Sequence, residues 1–391
     1  MTTALPPLSL YIHIPWCIQK CPYCDFNSHA VKDSLPEMRY VQALLTDLQR
    51  DIEFFAIDRP IQSIFIGGGT PSLFSPEAID ALLIGVRQLL CLKNTTEITL
   101  EANPGTFESH KFAEFRALGI NRLSIGIQSF NDKHLKKLGR IHDAKQAFIA
   151  VDMAQQAGFE NFNLDLMFGL PEQTVDESLA DIKTAIALNP PHLSFYQLTL
   201  EPNTYFHRYP PKLPEDELIF TAQQSCQKLL AEHDYLQYEV SAYSKRGARC
   251  QHNLNYWQFG DYIGIGAGAH GKISRSLPDN IVRTMKPKSP QTYLSSYNHG
   301  ETVAKASTLL TDTQSFIPKK ELPIEFVMNH LRLKQGFSLS GYQKATGLSI
   351  DTLEPALSNA IAEGLLIQEE QFYFCSETGW NFLDVILQKF I

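Results

Sequence analysis

The sequence predicts an α/β fold: a partial (β/α)6 barrel over the first two-thirds of the chain, followed by a smaller C-terminal α+β, winged-helix-like domain. Three observations carry this reading. Six short apolar segments alternate with amphipathic helical patterns, as in a parallel sheet with crossover helices. Beyond about residue 310, helical patterns give way to a pair of strands. Unusual polar residues also stand at the C-terminal ends of the first strands, where such folds gather their chemistry. Six units are too few for a closed eight-stranded barrel, but a partial barrel obeys the same logic.

The elements follow in order. Leu8–Ile14 alternates and leads into a cysteine-rich loop, and a helix follows with Val41, Leu44, Leu45, Leu48, Ile52 and Phe55 on one face. Ser63–Ile66 is a short buried strand that ends in glycines. Ser75 then caps a helix carrying Pro76 at its first position, with Ile79, Leu82, Leu83, Val86 and Leu90 as its apolar face. The pattern recurs through strand Glu97–Glu101, a helix with Phe112, Phe115 and Leu118, and strand Arg122–Ile127. Helix Ala144–Ala157, strand Asn161–Met167, helix Val175–Leu188 and strand Leu193–Leu200 complete the barrel. Further on, helices are expected at Pro323–Lys334, Ser340–Thr346 and Asp351–Glu363, then strands Leu365–Gln368 and Gln371–Phe374 and a last helix from Thr378. The expected domains are residues 1–245, a Gly- and aromatic-rich connection over 246–310, and 311–391.

Cys17, Cys21 and Cys24 fall within eight residues, in a C-x3-C-x2-C run. Three thiolates on one loop can hold three corners of a cubane iron–sulfur cluster and leave the fourth iron open to a second cofactor. Zinc is the alternative, with His13 or His29 as fourth ligand. A disulfide framework fits poorly, because the seven cysteines are odd in number and Cys91, Cys226, Cys250 and Cys375 are scattered.

The strand-end residues converge with this loop on one mouth: Gly67-Gly68-Gly69-Thr70 after the second strand, Glu101 ending the third, Gln128 ending the fourth and Asp165 in the fifth. The glycines serve either a tight turn or the close approach of backbone to a ligand. Glu101 alone reads as a surface carboxylate. Asp165 sits in an apolar strand, where an unpaired charge is costly, so a ligand or partner is expected.

Bulk properties suit a cytosolic enzyme. The chain has 391 residues, an ordinary apolar fraction and a formal net charge of −8, which argues against a broad nucleic-acid footprint. No secretory signal and no stretch of membrane-spanning length is expected. From Gly336 onward, Lys344 and Lys389 face seven carboxylates, a balance opposed to phosphate binding by the winged-helix-like domain.

Tyr11–Cys17, the cysteine loop, Gly67–Ser72, Gly126–Phe130 and Asp165–Pro171 together resemble the radical S-adenosylmethionine (SAM) coproporphyrinogen dehydrogenase (HemN) family, and within it the HemW branch of haem chaperones. The resemblance covers nearly the whole chain. It implies a [4Fe–4S] cluster on Cys17, Cys21 and Cys24, with the open iron chelated by the amino acid moiety of SAM. It places Tyr11 and Tyr23 beside SAM, Gly68, Gly69 and Thr70 at its methionine end, and Glu101, Gln128, Arg140 and Asp165 in the rest of the site. Gln197 is a weaker addition.

Two departures separate the chain from the dehydrogenases. Those enzymes carry C-x3-C-x2-C-x-C where this chain has Phe26, and a longer N-terminal extension where sixteen residues precede Cys17 here. A run around His252, Cys250-Gln251-His252-Asn253-Leu254-Asn255-Tyr256-Trp257, resembles the His-Asn…Tyr-Trp signature of the chaperone branch. His252 is therefore a candidate haem ligand and Cys250 a second, against a hydrogen-bonded core histidine as the alternative. The Gly264–Gly271 run is too loose for a nucleotide fingerprint and reads as close backbone packing.

The resemblance thus implies a cytoplasmic haem chaperone that carries haem as cargo and delivers it to haem-requiring acceptors. These are often membrane-associated respiratory proteins, so peripheral association with the inner membrane through partners is expected. The cluster would gate homodimer formation or transfer. The enzymatic alternative is oxygen-independent coproporphyrinogen III dehydrogenase, in which SAM cleavage yields a radical that abstracts hydrogen from propionate side chains.

Overall fold

The computed structural model of the chain describes residues 5–32, 34–105, 109–297 and 314–391. Its frame is six parallel strands: β1 (Leu8–Ile14), β2 (Ile61–Gly68), β3 (Leu92–Ala102), β4 (Arg122–Gln128), β5 (Phe162–Phe168) and β6 (His192–Gln197). They lie side by side in chain order, each hydrogen-bonded in parallel to the next. Parallel neighbours need a long return connection, and amphipathic helices supply it. These are α1 (Glu37–Phe55), α2 (Pro76–Leu89), α3 (Phe112–Ala117), α4 (Ala144–Gln156) and α5 (Val175–Leu188).

The helix starts are chemically marked. Ser75 Oγ accepts the Ala78 N–H at 3.2 Å, as its position before Pro76 foretells. Asp143 with Gln146, and Thr174 with Glu177, form reciprocal capping boxes on α4 and α5. Val41, Leu44 and Leu48 of α1 and Ile79, Leu82 and Val86 of α2 are fully enclosed against the apolar strands. Burying side chains of this size contributes about 1.5–3 kcal/mol each before ordering entropy is set against it.

Among the described residues the sheet grows to twelve strands. On the β1 edge, Asp261–Ile265 adds in parallel, followed by antiparallel His270–Ser276, Asn280–Met285 and Gln314–Phe316. Beyond β6 lie antiparallel Ala242–Ser244 and Leu236–Glu239. The sequence reading did not foresee these strands: a glycine interrupts Asp261–Ile265 and His270–Ser276, and Leu236–Glu239, Ala242–Ser244 and Gln314–Phe316 are four residues or shorter. Gly264 shows why they are there: a Cβ on it would stand 1.9 Å from the His270 carbonyl oxygen. The close packing expected of this run is thus strand against strand.

A buried ion cluster ties this extension to α1. Lys286 Nζ donates to Asp47 at 2.6 Å and to Asp51 at 2.8 Å, and the Tyr293 hydroxyl donates to Asp47 at 2.7 Å. The C-terminal segment builds a second core around Phe326, Tyr342, Leu357 and Ile386, which Phe259 and Ile281 from the sheet region join. Its helices Leu322–His330, Leu339–Thr346 and Ala356–Ala362 accompany the hairpin Leu366–Glu369/Phe372–Cys375, with Phe337–Ser338 as third strand. The continuous helix expected over Asp351–Glu363 is instead a 3-10 turn, Ile350–Leu353, and a separate helix. Pro355 causes the break, since it lacks an N–H and disfavours helical backbone at the residue before it. The expected boundary at 310/311 lies outside the described residues.

Candidate functional site

All the cluster and SAM residues expected from the sequence, Tyr11 and Gln197 excepted, line one cavity of about 260 Å³ at the C-terminal ends of β1–β5. Cys17, Cys21 and Cys24 come from the loop after β1, tightened by a turn in which the Cys24 N–H donates to the Cys21 carbonyl at 3.1 Å. Burial pushes the Cys17 and Cys24 thiols up, while the Ser28 hydroxyl acts in the opposite sense; it lies 3.6 Å from Cys24 Sγ. Thiols so enclosed are disfavoured as free thiolates unless a bound metal compensates the charge.

The glycine turn docks on this loop. The Gly69 N–H donates to the Ile14 carbonyl at 2.8 Å and the Thr70 N–H to the Trp16 carbonyl at 2.7 Å. A Cβ on Gly69 would stand 2.4 Å from the Trp16 carbonyl oxygen, so the turn can hold no side chain there. Part of the glycine requirement is therefore packing against the cysteine loop, and Gly68 and Gly69 still face the cavity.

Two carboxyls face the same space. Glu101 accepts the Gly68 N–H at 2.9 Å. Burial, with the nearby Asp165 charge acting in the same sense, pushes its carboxyl up to about 8 against the pull of that hydrogen bond. Asp165 accepts from Asn163 Nδ2 at 2.8 Å and Ser124 Oγ at 3.1 Å. Burial raises it despite these donors. Arg140 donates to Asn103 Oδ1 at 2.7 Å and the Gly126 carbonyl at 2.8 Å, and its other terminal nitrogen lies 3.7 Å from Cys21 Sγ. Asn103 Nδ2 in turn donates to Thr70 Oγ1 at 2.9 Å, which links the cysteine loop, β3 and the glycine turn in one relay. Gln128 adopts a left-handed backbone with φ of 68°, rare outside glycine and asparagine, and accepts the Tyr196 hydroxyl at 2.8 Å.

The donor set fits a cluster with one open iron: three thiols on one loop and no fourth cysteine in the cavity wall. Among the described residues no three His, Cys, Asp or Glu side chains converge closely enough to share a single metal ion. His13 is committed elsewhere, with Nδ1 3.0 Å from the Tyr11 hydroxyl and Nε2 2.8 Å from the Asn27 carbonyl. A zinc knuckle on His13 loses its fourth ligand. The paired acidic wall, hydrogen-bonded to neutral donors and with no ion pair to Glu101 or Asp165 among the described residues, suits a ligand with an ammonium group and hydroxyls.

Four expected positions fall elsewhere. Tyr11 lies with His13 in a neighbouring cleft. Gln197 is exposed, and Tyr196 takes its place in the wall, because successive strand residues point to opposite faces. His252 is 1% exposed, on the helix Gln251–Trp257. Its Nδ1 lies 3.0 Å from Ser63 Oγ and its Nε2 2.9 Å from the Tyr256 hydroxyl, so neither nitrogen is free for iron. Burial pushes its imidazole down to about 3. Cys250 is fully buried beside Glu97, its thiol pushed up to about 12 by burial. Both are enclosed in the core in this structure, and His252 has the hydrogen-bonded arrangement that the sequence reading held as its alternative. Asn103, Ser124 and Tyr196 are site residues the sequence reading missed, since none stands out by type or spacing.

Comparison with known proteins agrees with this geometry. A model of the radical SAM superfamily matches residues 11–185, and a model of the HemN C-terminal domain matches residues 317–382. The heme chaperone HemW of Escherichia coli (strain K12) is 48% identical over 388 residues, covering 99% of each chain. The chain belongs to the HemW family. Its likeness extends to the heme chaperone HemW of Bacillus subtilis (strain 168), 34% identical over 378 residues, 95% of this chain and 96% of that one. The solved structure of coproporphyrinogen III oxidase (HemN) from Escherichia coli superposes with a TM-score of 0.81 at 22% identity, covering 99% of this chain and 90% of the other, which shows a shared fold. Membership of the radical SAM superfamily implies a [4Fe–4S] cluster and SAM. No helix among the described residues is long and apolar enough to cross a membrane.

Proposed function

We propose that this protein is a haem chaperone: it holds haem as cargo and passes it to haem-requiring acceptor proteins. The observation that carries the reading is the single cavity that gathers the three cysteines with Gly68, Gly69, Thr70, Glu101, Gln128, Arg140 and Asp165, in a chain alike over its whole length to heme chaperones. In this reading Cys17, Cys21 and Cys24 ligate the [4Fe–4S] cluster. Glu101 and Asp165 accept from the ammonium and hydroxyl groups of SAM, and Arg140 holds Cys21 and Asn103 in register. Tyr23, packed at 6.4 Å from the Phe206 ring, closes one side of the cavity. When bound, the cluster supplies an iron with a coordination position for SAM.

The chain's own residues do the positioning. The glycine turn brings backbone polar groups to the cavity wall. Burial of Glu101 and Asp165 keeps their carboxyls primed for a cationic partner, because an unpaired charge there is costly. Phe26, exposed at the rim where the dehydrogenases carry a further cysteine, argues against porphyrinogen decarboxylation. The domain division at residues 1–245, 246–310 and 311–391, a cytoplasmic location, a homodimer and respiratory, membrane-associated acceptors belong to the same proposal.

Anaerobic reconstitution tests it. We expect about four irons per chain, consistent with a cubane cluster, with a spectrum altered by added SAM, stable haem binding and haem transfer to an apo-acceptor. Formation of protoporphyrinogen from coproporphyrinogen III by the same preparation would overturn the chaperone reading in favour of the enzyme.

A further inference from the structure

Beneath the SAM cavity, a chain of buried side chains runs from the start of the helix Gln251–Trp257 to Asp165. Asn163 and Asp165 alternate with Leu164 on β5, so their side chains share one face of the sheet. His192 opens β6 directly opposite Asn163, and Tyr238 reaches in from the edge strand Leu236–Glu239. Asn163, His192 and Tyr238 are all buried, so their polar atoms depend on one another for partners.

These contacts are satisfied in one direction only. The Cys250 backbone N–H, which can only donate, lies 3.3 Å from the Tyr238 hydroxyl oxygen. That oxygen accepts there, which leaves its own hydrogen for His192 Nε2 at 2.9 Å. A neutral imidazole that accepts at Nε2 carries its hydrogen at Nδ1. His192 Nδ1 therefore donates to Asn163 Oδ1 at 2.6 Å, where the Ser194 hydroxyl also donates at 3.1 Å. With its oxygen so engaged, Asn163 turns Nδ2 to Asp165 Oδ1 at 2.8 Å and to Ser124 Oγ at 2.9 Å. Ser124 then directs its hydrogen to Asp165 Oδ2 at 3.1 Å. A relay that begins at an obligatory donor thus ends on a carboxylate. Burial, with the Arg122 charge acting in the same sense, holds the His192 imidazole well below its ordinary value and so keeps it neutral.

The opposite polarity shows what the relay prevents. A hydrogen on Nε2 instead of Nδ1 would turn the Asn163 amide round and set its oxygen against Asp165. Two acceptors at that distance are tolerated only when the carboxyl is protonated, and a protonated carboxyl is a poor partner for an ammonium group.

We propose that His192 is a positioning residue of the SAM site, its tautomer set by Tyr238. Acting through Asn163, it keeps Asp165 an acceptor for the hydroxyl or ammonium groups of SAM. The assignment rests on the SAM site as read above. No proton changes hands; the relay orients hydrogens already in place.

Two measurements on the whole, cluster-loaded protein test it: calorimetric titration with SAM, and nitrogen NMR of isotopically labelled histidine. We expect His192 to carry its hydrogen at Nδ1. His192→Phe should weaken SAM binding about tenfold, the scale of one hydrogen bond to a charged group, with iron content and circular dichroism unaltered. His192→Asn, whose amide can donate to the Asn163 oxygen, should recover part of the loss. Tyr238→Phe keeps the ring packing and should populate the other tautomer, with a severalfold loss of affinity. In an Asp165→Asn background, His192→Phe should cost much less, because the group it serves has been replaced. A hydrogen at Nε2, unchanged affinity in His192→Phe, or an equal loss in both backgrounds would overturn the assignment and leave the SAM site standing. Failure of the unsubstituted protein to bind SAM would overturn both.

Discussion

Glu101 accepts the backbone N–H of Gly68 at 2.9 Å, across the gap between β3 and the glycine turn. The carboxyl that anchors the turn is also the one that burial pushes up to about 8. Near pH 7 it holds a proton for much of the time when no cation is beside it. A ligand bearing an ammonium group favours the carboxylate, so binding must release that proton.

SAM affinity should therefore rise with pH between about 6 and 8, by at most about tenfold per unit. The sign follows from the raised value: below it the site must first lose a proton, above it the carboxylate is already formed. Calorimetry at pH 7 in two buffers of different ionisation heat should show net proton release. Glu101→Gln should abolish that release and weaken SAM binding. Equal affinity at pH 6 and pH 8 would refute the prediction.

Replacing Cys17, Cys21 or Cys24 singly with serine should remove the cluster, leaving trace iron and sulfide after anaerobic reconstitution. Cys250→Ala should retain full iron content, because its thiol is buried against Glu97 and far from use as a ligand. Iron and sulfide analysis on the purified variants decides the matter, and a full complement in any of the first three would remove the assigned ligand.

Arg140→Ala should both lower stability and weaken SAM binding. It leaves the Asn103 side-chain oxygen and the Gly126 carbonyl without their donors, at a cost of about 1–3 kcal/mol for each group that water cannot reach. Arg140→Lys should recover part of the loss, since an ammonium can satisfy one acceptor but not the planar fork. Thermal unfolding and SAM titration read the two effects separately.

Lys286→Met should be among the most destabilising single changes in the chain. It strands Asp47 and Asp51 as uncompensated buried carboxyls, and breaking a buried pair from one side costs roughly 3–5 kcal/mol. Chemical denaturation should show the loss. Restoring neutrality with Asp47→Asn and Asp51→Asn in the same chain should recover much of it.

Much of the barrel was legible because its strands are short apolar runs and its helices carry marked caps such as Ser75 and Thr174. The cysteine loop was legible because three thiols at fixed spacing have few structural uses. Asn103 and Ser124 were not, since ordinary polar residues become site residues through tertiary hydrogen bonds alone. Tyr196 was mistaken for Gln197 because a strand-end reading lacks the one-residue precision that alternating faces demand. The strands Asp261–Ile265 and His270–Ser276 hid behind glycines that serve close backbone approach. His252 looked like a ligand by its neighbours in sequence, but its neighbours in space, Ser63 and Tyr256, occupy it fully.

The partition between the two chambers is a few residues thick and belongs to neither. Lys20, Cys24, Phe26 and Ser28 line both, so whatever stiffens them from one side alters the surface met from the other.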